Sequence, residues 1–259
     1  MSPLRPSSTV VRPARLLWIL TGAVLAVPGQ AQGQARLRSD VISSDRPGLG
    51  DGAHVLAPGV WQGEFGGTIQ AQYDDDFLVG SSLLRIGFSA LELRVYLPDA
   101  VSLHEGDFLR FGDLGVGAKF PLDLGGGWRW AGTGLVTLPT GASALTADDP
   151  GGGGALIAGR SLSSSLSLTF NAGYGFLFND LGGGTLSFVA TPTLAVPGYE
   201  GLSVYAGYAT YIREGDDAHY VEGGFARLSG PDRQWDVNAG YDPGAHVWFL
   251  GVGLAVRSR

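Results

Sequence analysis

Cysteine is missing from all 259 residues of the chain. That excludes a disulfide framework, a thiolate nucleophile and a Cys-ligated zinc site. Charge is scarce as well: Asp, Glu, Lys and Arg make up 16% of the sequence, against about 25% in an average soluble domain. The formal net charge is −7, which argues against a nucleic-acid partner. Long hydrophobic runs are lacking too. The N-terminal run LLWILTGAVLAV (Leu16 to Val27) falls short of the roughly 18 apolar residues that a membrane-spanning helix needs, and no later stretch approaches that length. Arg5, Arg12 and Arg15 precede the run and the small-residue stretch PGQAQGQA follows it. That order describes a secretory signal peptide over residues 1–35, cleaved after Ala31 or Ala35, with an uncleaved anchor as the alternative. Cleavage removes those three arginines and no acid, moving the charge from −7 to about −10.

What the chain has in abundance is alternation. From Trp61 to Tyr73 one parity carries Trp61, Phe65, Ile69, Ala71 and Tyr73, and the other carries Gln62, Glu64, Thr68, Gln70 and Gln72. A period of two over this length is a β-strand with one apolar and one polar face. Leu166 to Phe178 repeats the pattern, with Phe170, Ala172 and Tyr174 opposite Ser167, Thr169 and Asn171. Leu91 to Leu97 sets Glu92 and Arg94 against leucine and valine. Leu114 to Phe120 does the same with Lys119, Asp113 preceding it on the polar side, and Trp235 to Tyr241 with Asp236 and Asn238. Strands fall at 60–73, 77–88, 88–98, 110–121, 127–139, 154–162, 166–178, 184–197, 201–213, 218–229, 233–242 and 246–257, with the second, sixth and tenth the least regular. The fold class is all-β: a transmembrane antiparallel β-barrel of about 12 strands, with 10 and 14 as alternatives.

The connections separate a barrel from a soluble sandwich. With the N-terminus in the periplasm, the periplasmic turns read FSA, LDLGGG, SSS, PGYEG and SGPDR, whereas the opposite end includes PDAVSLHEGDF, TGASALTADDPGGGG and REGDDAHY. Short turns at one end and long loops at the other are the outer-membrane pattern. Trp61 and Tyr73 would stand roughly 30 Å apart along the membrane normal, near the height of an apolar band with aromatic girdles. Trp61, Tyr73, Phe178, Trp235 and Tyr241 are the girdle candidates. Their face looks at lipid, and the polar parity faces a wet or plugged lumen.

The stretches SSDRPGLGDGAHVLAPGVWQGEFGGTIQ, LLRIGFSALELRVYL, FGDLGVGAKFPL, LVTLPTG and WDVNAGY resemble, in that order, the successive motifs of the outer-membrane transporter family labelled the MetA pathway of phenol degradation. The likeness spans most of the mature chain. It implies an outer-membrane barrel that passes small, often hydrophobic or aromatic, compounds. The chain departs from such barrels in ending VGLAVRSR rather than on the aromatic residue that the barrel-assembly machinery reads. Expected partners are outer-membrane lipids, that machinery and small-molecule solutes; no cofactor and no metal are expected.

Catalytic patterns are sparse. His54, His104, His219 and His246 fall in loops or at strand ends, with no Gly-x-Ser-x-Gly elbow to serve as a nucleophile's frame. Gly151 to Gly154 read as a floppy loop, because no Lys-Ser/Thr or helix follows to cradle phosphate. Asp74–Asp76, Glu105 with Asp107, Asp148–Asp149, and Glu214 with Asp216–Asp217 match no calcium-loop spacing and read as solvated loop charge. The lumen-lining candidates are Gln62, Glu64, Thr68, Gln70, Arg85, Glu92, Arg94, Asp113, Lys119, Arg129, Asn171, Asp236 and Asn238, with ion-paired packing of a narrow interior favoured over a selectivity filter. Residues 36–59 show no strand pattern. They form a lumen plug or a periplasmic tail ahead of the barrel at 60–259. As a plug, Asp45 and Arg46 need opposite charges inside, Glu64, Arg94 and Lys119 being the candidates, because an unpaired buried ion is costly. The function expected is a small-molecule channel. A closed structural or surface-adhesive barrel is the alternative, and a membrane-embedded hydrolase a third reading.

Overall fold

The computed structural model describes residues 41–72, 75–102, 109–143 and 145–258. Its strands are β1 (Trp61–Gln72), β2 (Asp75–Gly87), β3 (Glu92–Ser102), β4 (Arg110–Phe111), β5 (Leu114–Leu122), β6 (Arg129–Leu138), β7 (Gly151–Ser161), β8 (Leu166–Leu177), β9 (Asp180–Ala195), β10 (Leu202–Ile212), β11 (Ala218–Leu228), β12 (Arg233–Asp242) and β13 (Val247–Arg257). Each pairs antiparallel with its neighbours, and β13 returns to pair with β1 along eleven residues, Gln62 opposite Arg257 through Gln72 opposite Val247. The two-residue β4 and the longer β5 both pair with β3, so together they fill one place in a closed ring of twelve strands. Closure leaves no edge strand open to another chain.

Alternation decides which side is inside. Trp61, Phe65 and Ile69 on β1 are about half exposed, at 51%, 45% and 47%, while Gln62 and Glu64 between them are 0% and 2% exposed. The same inversion holds around the ring: Phe170, Val204, Trp235 and Leu250 look out, and Arg85, Arg94, Lys119 and Asp236 are buried. No helix among the described residues is long and apolar enough to cross a membrane; crossing falls to the strands.

Connections at the end where the chain enters β1 run four to six residues. In one of them Gly125, Gly126 and Gly127 all have positive φ, near 70°, a backbone that side-chain-bearing residues rarely adopt. The opposite end holds the longest described connection, residues 139–150, but also a two-residue one at 178–179. The Gly151 to Gly154 run is strand rather than loop. Opposite leucine, valine and aromatic residues on β6 and β8, these glycines complete ladders that their composition conceals. Phe178 correspondingly falls just past β8, and β9 begins at Asp180, four residues earlier than the alternation indicated.

Two apolar clusters lie inside the barrel. Val189, Ala209, Tyr211, Tyr220 and Phe249 pack together with Leu49 against them. Ala53, Ala131 and Ile157 form the other, with Val55. Both contain residues from the segment that precedes β1.

Candidate functional site

Four strands place charge on one inner patch. Arg85 on β2 and Arg94 on β3 are direct cross-strand partners, an arrangement of like charges that destabilises unless anions intervene. Glu64 and Glu92 intervene: Arg85 donates to Glu64 Oε1 and to Glu92 Oε1, each at 2.7 Å, and Arg94 reaches Glu92 at 3.2 Å. Lys119 on β5 stands opposite Glu92. All five side chains are buried, leaving three cations against two carboxylates on the wall itself.

The excess is met by the segment ahead of β1. Asp45 lies 2.6 Å from Arg94, 3.0 Å from Lys119 and 3.3 Å from Arg85. Burial by itself would raise the Asp45 carboxyl, but Arg85, Lys119 and Arg94 outweigh it and hold it well below the usual carboxylate range. The Ser44 hydroxyl donates to Glu64 at 2.9 Å. Arg46 points the other way, to Asp236 at 3.3 Å. Its guanidinium lies over Gly66 and Gly253, cross-strand partners on β1 and β13, where any Cβ would overlap it. The consecutive pair Asp45–Arg46 thus bridges a cationic patch on β2, β3 and β5 and an acidic group on β12.

Past Arg46 the segment crosses the interior and returns. Gln234 donates to the Arg46 carbonyl at 2.8 Å, and the Leu49 N–H donates to Glu222 at 2.9 Å. Asn171 accepts from the Asp51 N–H and donates to the Asp51 carbonyl, both at 3.0 Å. His54 Nε2 sits 2.8 Å from Arg129; burial, then Arg129, pulls this imidazole down to about 4 from its ordinary 6.5. The Leu56 N–H donates to Glu92, and the Gly59 N–H to the Gly87 carbonyl at the end of β2. The backbone of an irregular interior segment needs such partners, and here wall side chains supply many of them.

Among the other residues singled out from sequence, Thr68 and Gln70 are half-buried on the inward parity of β1. Asn238 is buried, and its Oδ1 has no hydrogen-bond partner among the described residues. Arg129 is exposed at the rim. Asp113 joins no wall ion pair among the described residues; it lies in the break between β4 and β5 and accepts from the N–H groups of Gly141 and Ala147, holding the 139–150 connection. Arg46 pairs with Asp236 rather than Glu64. Trp61, Phe178, Trp235 and Tyr241 are exposed; Tyr73 lies outside the described residues, as do Asp74, His104, Glu105 and Asp107. Sequence reasoning passed over Asp51, Glu222, Gln234 and the inward aromatics Tyr205, Tyr211, Tyr220 and Phe249. A single carboxylate between apolar strand positions, as Glu222 is, was a usable signal; β11 hides it because Tyr220 points in and Val221 out.

Residues 44–258 match the family model described as the putative MetA-pathway of phenol degradation. The fold is similar to that of an outer membrane channel from Pseudomonas putida F1, with TM-score 0.57 and 16% identity over 78% of this chain and 97% of that one. It is similar as well to the KdgM porin in complex with disordered oligogalacturonate (0.57, 7% identity, 75% and 98% covered) and to the NanC porin (0.56, 10% identity, 75% and 98% covered). No curated protein matches the sequence. A family match across most of the chain and a closed twelve-stranded ring agree: this is an outer-membrane β-barrel belonging to the putative MetA-pathway of phenol degradation family.

Proposed function

We propose that the protein is a channel for small molecules, hydrophobic or aromatic ones among them, whose lumen is occupied at its periplasmic end by its own residues 41–59. The observation that carries this reading is the Asp45–Arg46 pair, seated on wall charges of opposite sign on either side of the β1–β13 junction, Arg85, Arg94 and Lys119 on β2, β3 and β5 and Asp236 on β12. An interior built only for rigidity could be filled by wall side chains, as small barrels often are. Here a separate stretch of chain, joined at one end to β1, does much of the filling, and such a stretch can leave without unmaking the ring. The inward aromatics Tyr211, Tyr220 and Phe249 support a path that tolerates apolar solutes.

The occupied lumen also favours a second reading, a closed barrel serving as a structural or surface protein. One experiment separates the two. Deleting residues 36–56 behind the intact leader should leave a folded barrel with larger single-channel conductance in planar bilayers and faster solute uptake. Conductance unchanged by the deletion would defeat the plug. A barrel silent both with and without the segment would establish the closed reading.

A further inference from the structure

The outer wall carries a site that the channel reading does not use. At the end where the short turns lie, the outward-facing ionisable strand residues are Arg160, Arg227 and Arg233, all exposed. No outward strand position at this end holds an acid among the described residues, although the chain as a whole is acidic. None of the three has a carboxylate partner among the described residues. The Arg160 guanidinium instead lies over the Trp128 ring, 5.7 Å from its centroid.

Beside Arg160 the wall is hollowed. Trp130, Ala158, Phe170, Ala190 and Tyr208 are successive cross-strand partners on β6 to β10. Large and small side chains therefore alternate along one row. Ala172 opens the row above, beside Phe188. The result is an apolar groove of about 380 Å³ on the outside of the barrel. It runs from the tryptophans at the rim toward mid-wall.

We infer that this groove binds one glycerophospholipid of the periplasmic-facing leaflet, its acyl chain between Phe170 and Tyr208 and its phosphate on Arg160. The chemistry of each part matches its depth. Tryptophan and arginine belong at the level of the headgroups, guanidinium pairs with phosphate oxygens in a forked geometry, and an alanine-floored hollow fits a flexible hydrocarbon chain. A second copy of the chain is a poorer occupant. A two-fold contact on this face would bring the same arginine-bearing rim against itself.

The test is native mass spectrometry of the full barrel in non-ionic detergent, titrated with phosphatidylglycerol. One adduct should form well before the others. Arg160→Gln and Ala172→Trp should each weaken that first adduct about tenfold, whereas Arg227→Gln, on the same rim away from the groove, should not. Heat-modifiable gel migration shows that each variant is folded, so a misfolded Ala172→Trp leaves Arg160→Gln to decide. First-adduct affinity unchanged in Arg160→Gln would overturn the site. Equal loss in Arg227→Gln would reduce it to diffuse attraction and overturn it too. Displacement by inorganic phosphate would remove the role of the groove, and dimers abolished by Ala172→Trp would assign it to a second copy.

Discussion

A single carboxylate, Asp45, has three buried cations converging on it. Removing one member of such a set leaves uncompensated buried charge, which is why it anchors the segment. Arg46 is the looser half: its contact with Asp236 is one-armed, and Arg46 Nε and Asp236 Oδ2 lack partners among the described residues. Gly253→Ala should therefore expel the Arg46 side chain while sparing the barrel, since the new methyl meets the side-chain ends of Arg46 and of its partner Asp236 rather than backbone. Conductance should rise, and Arg46→Ala should add nothing in that background, a coupling that a double-mutant cycle measures. His54 gives the site a pH dependence. Its folded value near 4 lies below the ordinary 6.5, so the undocked segment binds the proton more tightly. Docking is then strongest above about 6.5 and weakens as pH falls toward 4. Protease access to the segment should increase over that window, and His54→Gln should flatten the change.

At the level of the strand, alternation made the fold legible. A period of two survives the loss of any one residue, so β1, β5, β8 and β12 could be read with their faces assigned. The same parity told which side of β3 holds Glu92 and Arg94. Where the code thins, reading failed. β7 opens with four glycines, which carry no face, and β4 is broken from β5 by Gly112 and Asp113. The partners of the N-terminal segment were legible by sign but not by position. That Asp45 would need Arg94 and Lys119 follows from charge; that Arg46 would rest on Gly66 and Gly253 depends on register across the closing pair, which local sequence does not encode. The two faces should answer substitution differently. Phe170→Arg places a charge on the apolar outer face and should cost about 2–4 kcal/mol near the bilayer midplane. Asn171→Arg, facing the interior, should cost the barrel less in urea unfolding. Equal penalties would place both faces in the same medium.

For the whole molecule, the closed ring is the governing fact. Every place in the ring of twelve has two neighbours, so no edge is available from which to peel the structure. The unboiled protein should accordingly migrate apart from the boiled form in detergent gels and fractionate with the outer membrane; recovery as a soluble periplasmic protein would refute the architecture.

The strands whose pairing closes the ring are the first and the last in the chain. Arg46 rests on that junction, touching Ser81 on β2, Asp236 on β12 and the Val252 carbonyl on β13. The two halves of its dipeptide therefore depend on different pairings. Once β1 through β5 are in place, Asp45 has all its cations; Arg46 has no floor until β13 lies beside β1. An assembly intermediate still open along that line can hold the segment by one hand only. Full seating is thus a record that the circle has been completed, written by the chain's own beginning on its end.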